Sequence, residues 1–297
     1  MTLRSICRSL VSSVFLPLVS LLVSLLVSLL VSVPRPAAGQ SQPASHPSGV
    51  LITGRDMALI GAATAGSYGL SFFDVRIART FTDSGFQKRH RGFTTAAKRG
   101  SLPTETVLML SSSAIWGIAR LSHAPATADV ALHTFESVAS TAMFIQVVRG
   151  AIGRARPYVI TDSGGARDAD PHELQPFHGF SSFNYRSYPS MHAMASFATA
   201  TALVQEMRIR QTPNRAVYAP MLYTAALIPS FARMYLDEHW ASDIAMGIFL
   251  GAFSGQKVVD YNHEHPDNWF NRKLLPRSVR IGVARTAHGF GVTVMPF

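Results

Sequence analysis

Residues 188–207 read YPSMHAMASFATATALVQEM, and this stretch decides the fold class. Alanine, methionine and leucine dominate it and are strong helix formers, while Pro189 and Ser190 are residue types that favour a helix start. We therefore predict a helix that begins near Ser190. The free backbone N–H groups at such a start favour an anion. The alternatives are that Ser190 serves only as the N-cap and that His192 is an ordinary core or surface residue.

Five further stretches share this composition, with few β-branched runs and a polar residue every few positions. They are Met57–Phe73, Thr104–Leu121, Asp129–Ile152, Ala216–Tyr235 and Ser242–Val259. Six such stretches predict an all-α bundle of about six core helices, and the regular polar residues favour a buried bundle over lipid-facing spans. At the C-terminus, Ser278–Phe297 alternates apolar and polar residues on either side of a short turn, which predicts a β-hairpin.

The composition favours a helical domain that binds anions. The chain has 297 residues, of which 47% are hydrophobic, enough for one large helical domain at 50–277 before the hairpin at 278–297. The formal net charge of +10 favours phosphorylated substrates, acidic lipids or nucleic acid. Nucleic acid is set aside, because the chain has no basic–aromatic interleaving. Cys7 is the only cysteine and precedes the domain, so a mature exported chain would have no disulfide, zinc–thiolate site or cysteine nucleophile.

The N-terminal 39 residues have the order of parts of a secretory signal. Two arginines precede an uncharged apolar run from Leu10 to Val33, and proline and small residues follow it. We predict a signal peptide over 1–39, a Pro- and Ser-rich linker at 40–49, and export to the periplasm or to a membrane. The apolar run is also long enough to cross a bilayer, so an uncleaved N-terminal membrane anchor is the alternative.

Arg149 and Arg156 lie at the end of the third apolar stretch, in the sequence RGAIGRARP. Seven residues are two helical turns, so both guanidiniums project from one face. Neighbouring guanidiniums repel each other unless an anion lies between them, and their planar forks fit phosphate oxygens. The alternative is that these basic residues only offset the helix dipole.

Arg233, His239 and Asp243 lie where the fifth stretch passes into the sixth. Asp243 follows His239 by four residues, so its carboxylate is placed to bond one imidazole nitrogen and leave the other bare. An imidazole held in that tautomer is a nucleophile or a base. The alternative is an ordinary His–Asp helix pair beside a surface salt bridge of Arg233.

The polar segment Thr161–Ser187 joins the third and fourth stretches. Connections of this length usually have a function, such as covering a site, and we expect this one to select among substrates. Its acidic residues and His172 match no metal-ligand spacing, so we predict a solvated loop and no metal site.

Together, the three clusters resemble the signature of the type 2 phosphatidic acid phosphatase superfamily, which includes bacterial class A acid phosphatases and vanadate-dependent haloperoxidases. That signature runs Lys-x6-Arg-Pro, Pro-Ser-Gly-His and Ser-Arg-x5-His-x3-Asp, and its order and spacings match between Arg149 and Asp243. Three positions depart from it: Arg149 replaces lysine, Met191 replaces glycine and Ala232 replaces serine. The side chain of Met191 could crowd the phosphate, although its backbone N–H survives.

The resemblance implies a helical, metal-independent phosphatase that works through a phosphohistidine. His239 would attack phosphorus while Asp243 holds its tautomer, and His192 would protonate the leaving oxygen and then activate water. The groups that would hold the phosphate oxygens are Arg149, Arg156, Arg233, Ser190 and the backbone amide of Met191. Phosphatidic acid, isoprenyl pyrophosphates and small phosphate esters all fit this chemistry. No cofactor is expected, and vanadate is expected to inhibit.

Two other functions stay open. A vanadate-dependent haloperoxidase would hold vanadate as its prosthetic group with the same residues, but the chain is short for such an enzyme and has arginine at 149. A non-catalytic, exported anion-binding protein is the second alternative, in which Met191 marks a decayed site. The basic run at 88–91, with Lys98 and Arg99, would attach such a protein to acidic lipid headgroups, and the alternative for this run is a solvated basic loop.

Overall fold

A computed structural model describes residues 52–81, 91–159, 170–269, 271, 279–286 and 289–296. The predicted signal or anchor, the linker at 40–49 and residues 88–90 of the basic run lie outside the described residues. The chain divides into two compact units, one that ends at Val259 and one that runs from Asp260 to Phe297. The predicted domain boundaries stay predictions.

The described part of the chain is mostly helical, as predicted, and contains eight α-helices. They are α1 (Gly54–Ser71), α2 (Asp74–Phe81), α3 (Arg91–Gly100), α4 (Glu105–Leu121), α5 (Pro125–Ile152), α6 (Met191–Ile209), α7 (Arg215–Tyr235) and α8 (Ala241–Glu264). The six apolar stretches coincide with α1 and α4 to α8, whereas α2 and α3 have no counterpart among them. The number of helices that form the core stays a prediction. No helix in these described ranges combines the length and apolar character that crossing a membrane requires.

Local sequence signals mark several helix ends. Thr53 caps α1 in a reciprocal capping box with Asp56, so two free backbone N–H groups are satisfied. Pro125 lies in the first turn of α5, where the N–H that proline lacks would have had no partner. At the other end of α5, Gly153 has a φ of 61°, a left-handed conformation that favours glycine. The chain turns there, and the N–H of Gln175 returns to the carbonyl of Gly153 at 2.8 Å.

A row of glycines lets α8 approach α6 closely. Gly247, Gly251 and Gly255 are four residues apart and therefore share one face of α8. A Cβ added at any of them would overlap backbone atoms of α6 or of Ser190, its N-cap. The N–H of Ser190 donates to the carbonyl of Asp243 at 3.0 Å, and this hydrogen bond holds the start of α6 against the start of α8.

The main core cluster lies between α5, α6 and α8. Its buried members are Val138, Ala142, Ile145, Met191, Met194, Ala195, Ala198, Met246 and Leu250. Polar side chains of the same helices donate hydrogen bonds to nearby carbonyls. For example, Ser254 Oγ donates to the carbonyl of Ser137 at 2.8 Å. The ends of α5, α6 and α8 that carry the signature residues are therefore held by one packed core.

The second unit contains two strands. β1 (Val279–Thr286) pairs antiparallel with β2 (Gly289–Pro296), with Val279 opposite Pro296. Before the strands, the ring of Tyr261 stacks on that of His265, with centroids 4.5 Å apart.

Candidate active site

The signature residues lie at helix ends and in the segments beside them. Arg149 is in the last turn of α5, Ser190 and His192 are at the start of α6, Arg233 is in the last turn of α7, and Asp243 is in the first turn of α8. Arg149 and Arg156 both donate to the carbonyl oxygen of Arg186, and Arg156 and Arg233 both contact the carboxylate of Glu238. The N–H of Ser190 donates to the carbonyl of Asp243 at 3.0 Å. The structure therefore brings all three sequence clusters into one site.

Arg149 is a buried cation that contacts no carboxylate among the described residues. It is 5% exposed, and its Nε and Nη2 donate to the carbonyl oxygen of Arg186 at 2.9 and 2.6 Å. Burial, and then the charge of Arg156, lower its pKa to about 9. A guanidinium whose charge is this poorly compensated favours the approach of an anion.

Arg156 and Arg233 share a single carboxylate oxygen. Arg156 Nη1 lies 2.6 Å from Oε2 of Glu238, and Arg233 Nη2 lies 2.9 Å from the same atom. Arg156 is also fixed from the side, because its Nε donates to the carbonyl of Phe183 at 3.1 Å and its guanidinium lies over the Phe183 ring. The Nε of Arg233 is buried and has no hydrogen-bond partner among the described residues. Burial lowers the pKa of both arginines.

His239 is buried beside Asp243 but is not hydrogen-bonded to it. The ring is 2% exposed, and its Nδ1 lies 3.6 Å from Oδ2 of Asp243, longer than a hydrogen bond. This Nδ1 has no other partner in the described part of the chain. Burial lowers the pKa of His239 well below its ordinary value, in spite of the nearby carboxylate, so the ring is neutral. Catalytic hydrogen bonds are often this long in proteins without substrate.

Asp243 is held in place by several donors. Its Oδ2 accepts from Ser187 Oγ at 2.5 Å and from the backbone N–H of Trp240 at 2.8 Å. Its Oδ1 accepts from Arg154 Nη1 at 2.5 Å. Burial raises the pKa of Asp243, but the charge of Arg154 outweighs it and holds the pKa at about 2. The carboxylate next to His239 is therefore ionised.

Arg154 links Asp243 to a second buried carboxylate, that of Asp74 on α2. Arg154 Nη2 lies 2.8 Å from Oδ2 of Asp74, and Arg154 Nε donates to the carbonyl of Pro171 at 2.7 Å. The N–H of Ser242 donates to Oδ1 of Asp74 at 2.9 Å, and the hydroxyl of Ser242 also donates to this carboxylate. Asp74 and Asp243 are both fully buried. The orientation of Asp243 is thus fixed by residues from α2, from the segment after α5 and from α8.

Ser190 and Met191 both lie at the start of α6. The Ser190 Oγ accepts from the N–H of Ala193 at 3.5 Å, so Ser190 acts as the N-cap of α6. Met191 is 2% exposed, and its side chain belongs to the core cluster with Val138 and Ile145. The methionine side chain is thus directed into the core, while its backbone N–H stays in the first turn of α6, where no intrahelical acceptor is available.

His192 is half-buried and strongly influenced by its positive neighbours. Burial, and then the charges of Arg233, Arg149 and Arg156, lower its pKa to about 3. The ring is therefore neutral in the free protein at neutral and mildly acidic pH. An acid role for His192 requires that a bound anion first compensates the arginines and raises this pKa.

The described part of the predicted covering segment lies across the end of α5. The carbonyl of Arg186 accepts from the side chain of Arg149, and the carbonyl of Phe183 accepts from the side chain of Arg156. The backbone N–H of Arg156 donates to the carbonyl of Asn184 at 2.9 Å. Gly179 lies so close to the carbonyl of Arg149 that a Cβ would overlap it. Residues 170–187 therefore orient Arg149 and Arg156.

Four residues that contact the site were missed by sequence reasoning: Asp74, Arg154, Ser187 and Glu238. Arg154 lies inside the first cluster, but helix periodicity did not single it out. The prediction that Arg149 and Arg156 share one helix face was wrong, because α5 ends at Ile152 and both Arg154 and Arg156 lie in the segment after it. Asp74 and Ser187 are distant in sequence from Asp243, which they help to hold, and no local pattern connects them. Glu238 adjoins His239. An acidic residue next to the motif histidine was the one sequence signal that could have identified it.

The three clusters form one site and lie within one continuous stretch of the sequence. Residues 131–265 match the PAP2 superfamily. This PAP2 region contains every signature residue from Arg149 to Asp243, and the resemblance predicted from the motifs is confirmed. The match supports a phosphatase of that superfamily.

One solved structure to which the chain is similar is described as the first transmembrane PAP2 type phosphatidylglycerolphosphate phosphatase from Bacillus subtilis. The identity is 15%, the similarity covers 69% of this chain and 98% of that chain, and the TM-score is 0.35. No curated protein matches the sequence.

Proposed function

We propose that the protein is an exported, metal-independent phosphatase that hydrolyses phosphate monoesters or pyrophosphates through a phosphohistidine on His239. The observation that carries this proposal is a buried, neutral imidazole beside an ionised carboxylate and near incompletely compensated arginines. A neutral ring has a lone pair with which to attack phosphorus, and the arginines supply the positive charge that a phosphoryl group needs.

In the first proposed step, a bond forms between Nε2 of His239 and phosphorus while the bond from phosphorus to the leaving oxygen breaks. Nε2 is the attacking atom because Nδ1 faces Asp243. His192, once protonated in the complex, gives its proton to the leaving oxygen. The imidazolium that forms on His239 is stabilised by the charge of Asp243, whose pKa of about 2 keeps it ionised.

In the second proposed step, His192 takes a proton from water as the water oxygen bonds to phosphorus. The bond between phosphorus and His239 breaks, which restores the neutral ring and releases orthophosphate. Arg149, Arg156 and Arg233 neutralise the equatorial oxygens in both steps, with Ser190 and the amide of Met191 at the start of α6. We propose that the cycle needs no metal, because these groups supply the charge.

The proposed substrates are lipid phosphates, such as phosphatidic acid or an isoprenyl pyrophosphate, or small phosphate esters. Residues 170–187 are proposed to select among them, since their carbonyls hold the arginines of the first cluster. Vanadate resembles the five-coordinate phosphoryl transition state, so it is a proposed inhibitor. Membrane-surface association and export are part of the proposal and need separate localisation experiments.

The test measures phosphate release by the purified full-length protein, in EDTA, from p-nitrophenyl phosphate, phosphatidic acid and an isoprenyl pyrophosphate. We expect hydrolysis of at least one of them, inhibition by vanadate, and loss of activity in His239→Ala. His123→Asn is the matched control: His123 is exposed and has a φ of 54°, which asparagine tolerates. Full activity of His239→Ala would contradict the mechanism. Bromination with peroxide and vanadate, without phosphate release, would instead identify a haloperoxidase.

A further inference from the structure

Glu238 holds a position that a phosphate oxygen would be expected to take. Its Oε2 lies 2.6 Å from Arg156 Nη1 and 2.9 Å from Arg233 Nη2. Both arginines belong to the signature. A carboxylate oxygen and a phosphate oxygen bind guanidinium N–H groups with the same geometry. These two anions therefore compete for the same donors.

The two sides of this contact differ in how firmly they are held. Arg156 is 1% exposed, and its guanidinium is also bonded to the carbonyl of Phe183 and, through Nη1, to the backbone carbonyl of Glu238 at 3.0 Å. The Glu238 side chain is 25% exposed. It therefore has a path to solvent by rotation about its own bonds, whereas the guanidinium of Arg156 does not. An entering phosphate would displace the carboxylate and leave the arginine in place.

The backbone around Glu238 supports such an exchange. Glu238 lies between the end of α7 and the start of α8, and its N–H donates to the carbonyl of Arg233 at 3.0 Å. This bond keeps residue 238 in position when its side chain leaves the arginines. Arg233 has a further buried donor, Nε, with no partner among the described residues. The arginine pair is thus able to accept more anionic oxygens than the one that Glu238 supplies.

We propose that Glu238 competes with phosphate for the donors of Arg156 and Arg233. When phosphate binds, one of its oxygens replaces the Glu238 carboxylate at these arginines, so Glu238 sets the affinity of the site for phosphate. The inference rests on the proposed function in so far as these arginines bind the phosphoryl group. The apparent dissociation constant for phosphate equals that of the open site divided by the fraction of molecules in which the site is open. If Glu238 occupies the arginines in about nine of ten molecules, phosphate binds about tenfold more weakly than to the open site.

The experiment measures the binding of inorganic phosphate to the full-length protein by titration calorimetry at pH 8. The variants are Glu238→Gln and Glu238→Ala, which remove the competing charge with and without keeping the side-chain length. The matched control is Asp237→Asn, which removes the same charge one residue away. Burial and then Glu238 raise the pKa of Asp237 to about 6, so it is ionised at pH 8. Asp237 has a φ of 61°, a conformation that asparagine also adopts.

We expect both Glu238 variants to bind phosphate about tenfold more tightly than the wild type, with Asp237→Asn unchanged within about twofold. With p-nitrophenyl phosphate, KM should fall by a similar factor while kcat changes little. Unchanged or weaker phosphate binding in both Glu238 variants would overturn the inference and show that Glu238 organises the arginines. Thermal unfolding checks that each variant is folded. If no variant hydrolyses any substrate, the proposed phosphatase fails, yet the binding comparison still decides the role of Glu238.

Discussion

Two groups of buried charges meet at this site, and they differ in how their charges are compensated. In the first, which we call the carboxylate cluster, Arg154 lies between Asp74 and Asp243 at 2.8 and 2.5 Å. In the second, the arginine cluster, Arg156 and Arg233 share the carboxylate of Glu238, and Arg149 contacts no carboxylate in the described part of the chain. One cluster has two acids for one base, and the other has three bases for one acid.

From this difference in charge we infer a positioning role for the carboxylate cluster and a binding role for the arginine cluster. In the carboxylate cluster, every charged group has partners at hydrogen-bond distance, so the cluster fixes the acid beside His239 without any ligand. In the arginine cluster, burial depresses the pKa of each arginine, so an added anion stabilises it. We infer that the first cluster is complete in the free protein and that the second is completed by a phosphoryl group.

The strongest test of this comparison makes the same substitution in each cluster. Arg154→Met leaves two buried carboxylates without their cation, so we expect the free energy of unfolding to fall by about 3–5 kcal/mol. Arg149→Met removes a buried cation that contacts no carboxylate within the ranges that the structure describes, so we expect a change within about 1 kcal/mol. Urea unfolding at neutral pH measures both. Equal losses in the two variants would show that the clusters do not differ in this way.

The order of the two variants should reverse for phosphate binding. Arg149→Met removes a donor to the proposed equatorial oxygens, so kcat/KM should fall by about 10²–10³, as for the loss of one preorganised donor in other enzymes. The affinity for orthophosphate should fall with it, while the fold is retained. Steady-state kinetics on p-nitrophenyl phosphate, with calorimetry on inorganic phosphate, measure the two effects. A stable Arg149→Met protein with normal kcat/KM would remove Arg149 from the proposed site.

A smaller effect is expected at the contact between α6, whose start carries Ser190 and His192, and α8, whose first turn carries Asp243. Gly251→Ala adds a methyl group where α8 lies against backbone atoms of α6, so we expect a loss of about 1–3 kcal/mol in unfolding free energy. Gly117→Ala on α4 is the control, since nothing lies within 4 Å of its Cβ position. Alanine should be neutral or slightly stabilising there, because it favours a helix over glycine. If the two variants lost the same stability, the close approach of α6 and α8 would not matter.

The sequence predicted the arginine cluster far better than the carboxylate cluster. Arg149, Arg156 and Arg233 fall in motifs with fixed local spacing, and the six long helices follow from their apolar stretches. Asp74 could not be predicted, because its contact with Arg154 joins residues 80 positions apart and no local pattern marks either of them. The direction of the Met191 side chain also could not be predicted from the sequence, because it depends on how α5 and α8 pack around it. Long-range contacts of single residues have no periodic signal.

The smallest effect concerns His192, which responds to the charge of the arginine cluster. Its pKa is about 3 in the folded protein, against about 6.5 for an unperturbed histidine. Between these two values the unfolded chain binds the extra proton, so stability rises with pH and is lost as pH falls below about 6.5. At pH 5.5 this amounts to about 1 kcal/mol from His192. His239, whose pKa is also lowered by burial, adds a loss of the same sign.

Inorganic phosphate should reduce this acid sensitivity if the arginine cluster is completed by an anion. A bound phosphate compensates Arg149, Arg156 and Arg233, so the pKa of His192 should rise toward its ordinary value and the folded protein should take up a proton on binding. NMR titration of the His192 ring, with and without saturating phosphate, measures the pKa directly, and His192→Asn identifies its resonance. The imidazole would then become an acid only when a phosphoryl group is present, which is the protonation state that the first step requires. An unchanged His192 pKa in saturating phosphate would mean that the anion binds away from this histidine, and the assignment of His192 as the proton donor would fail.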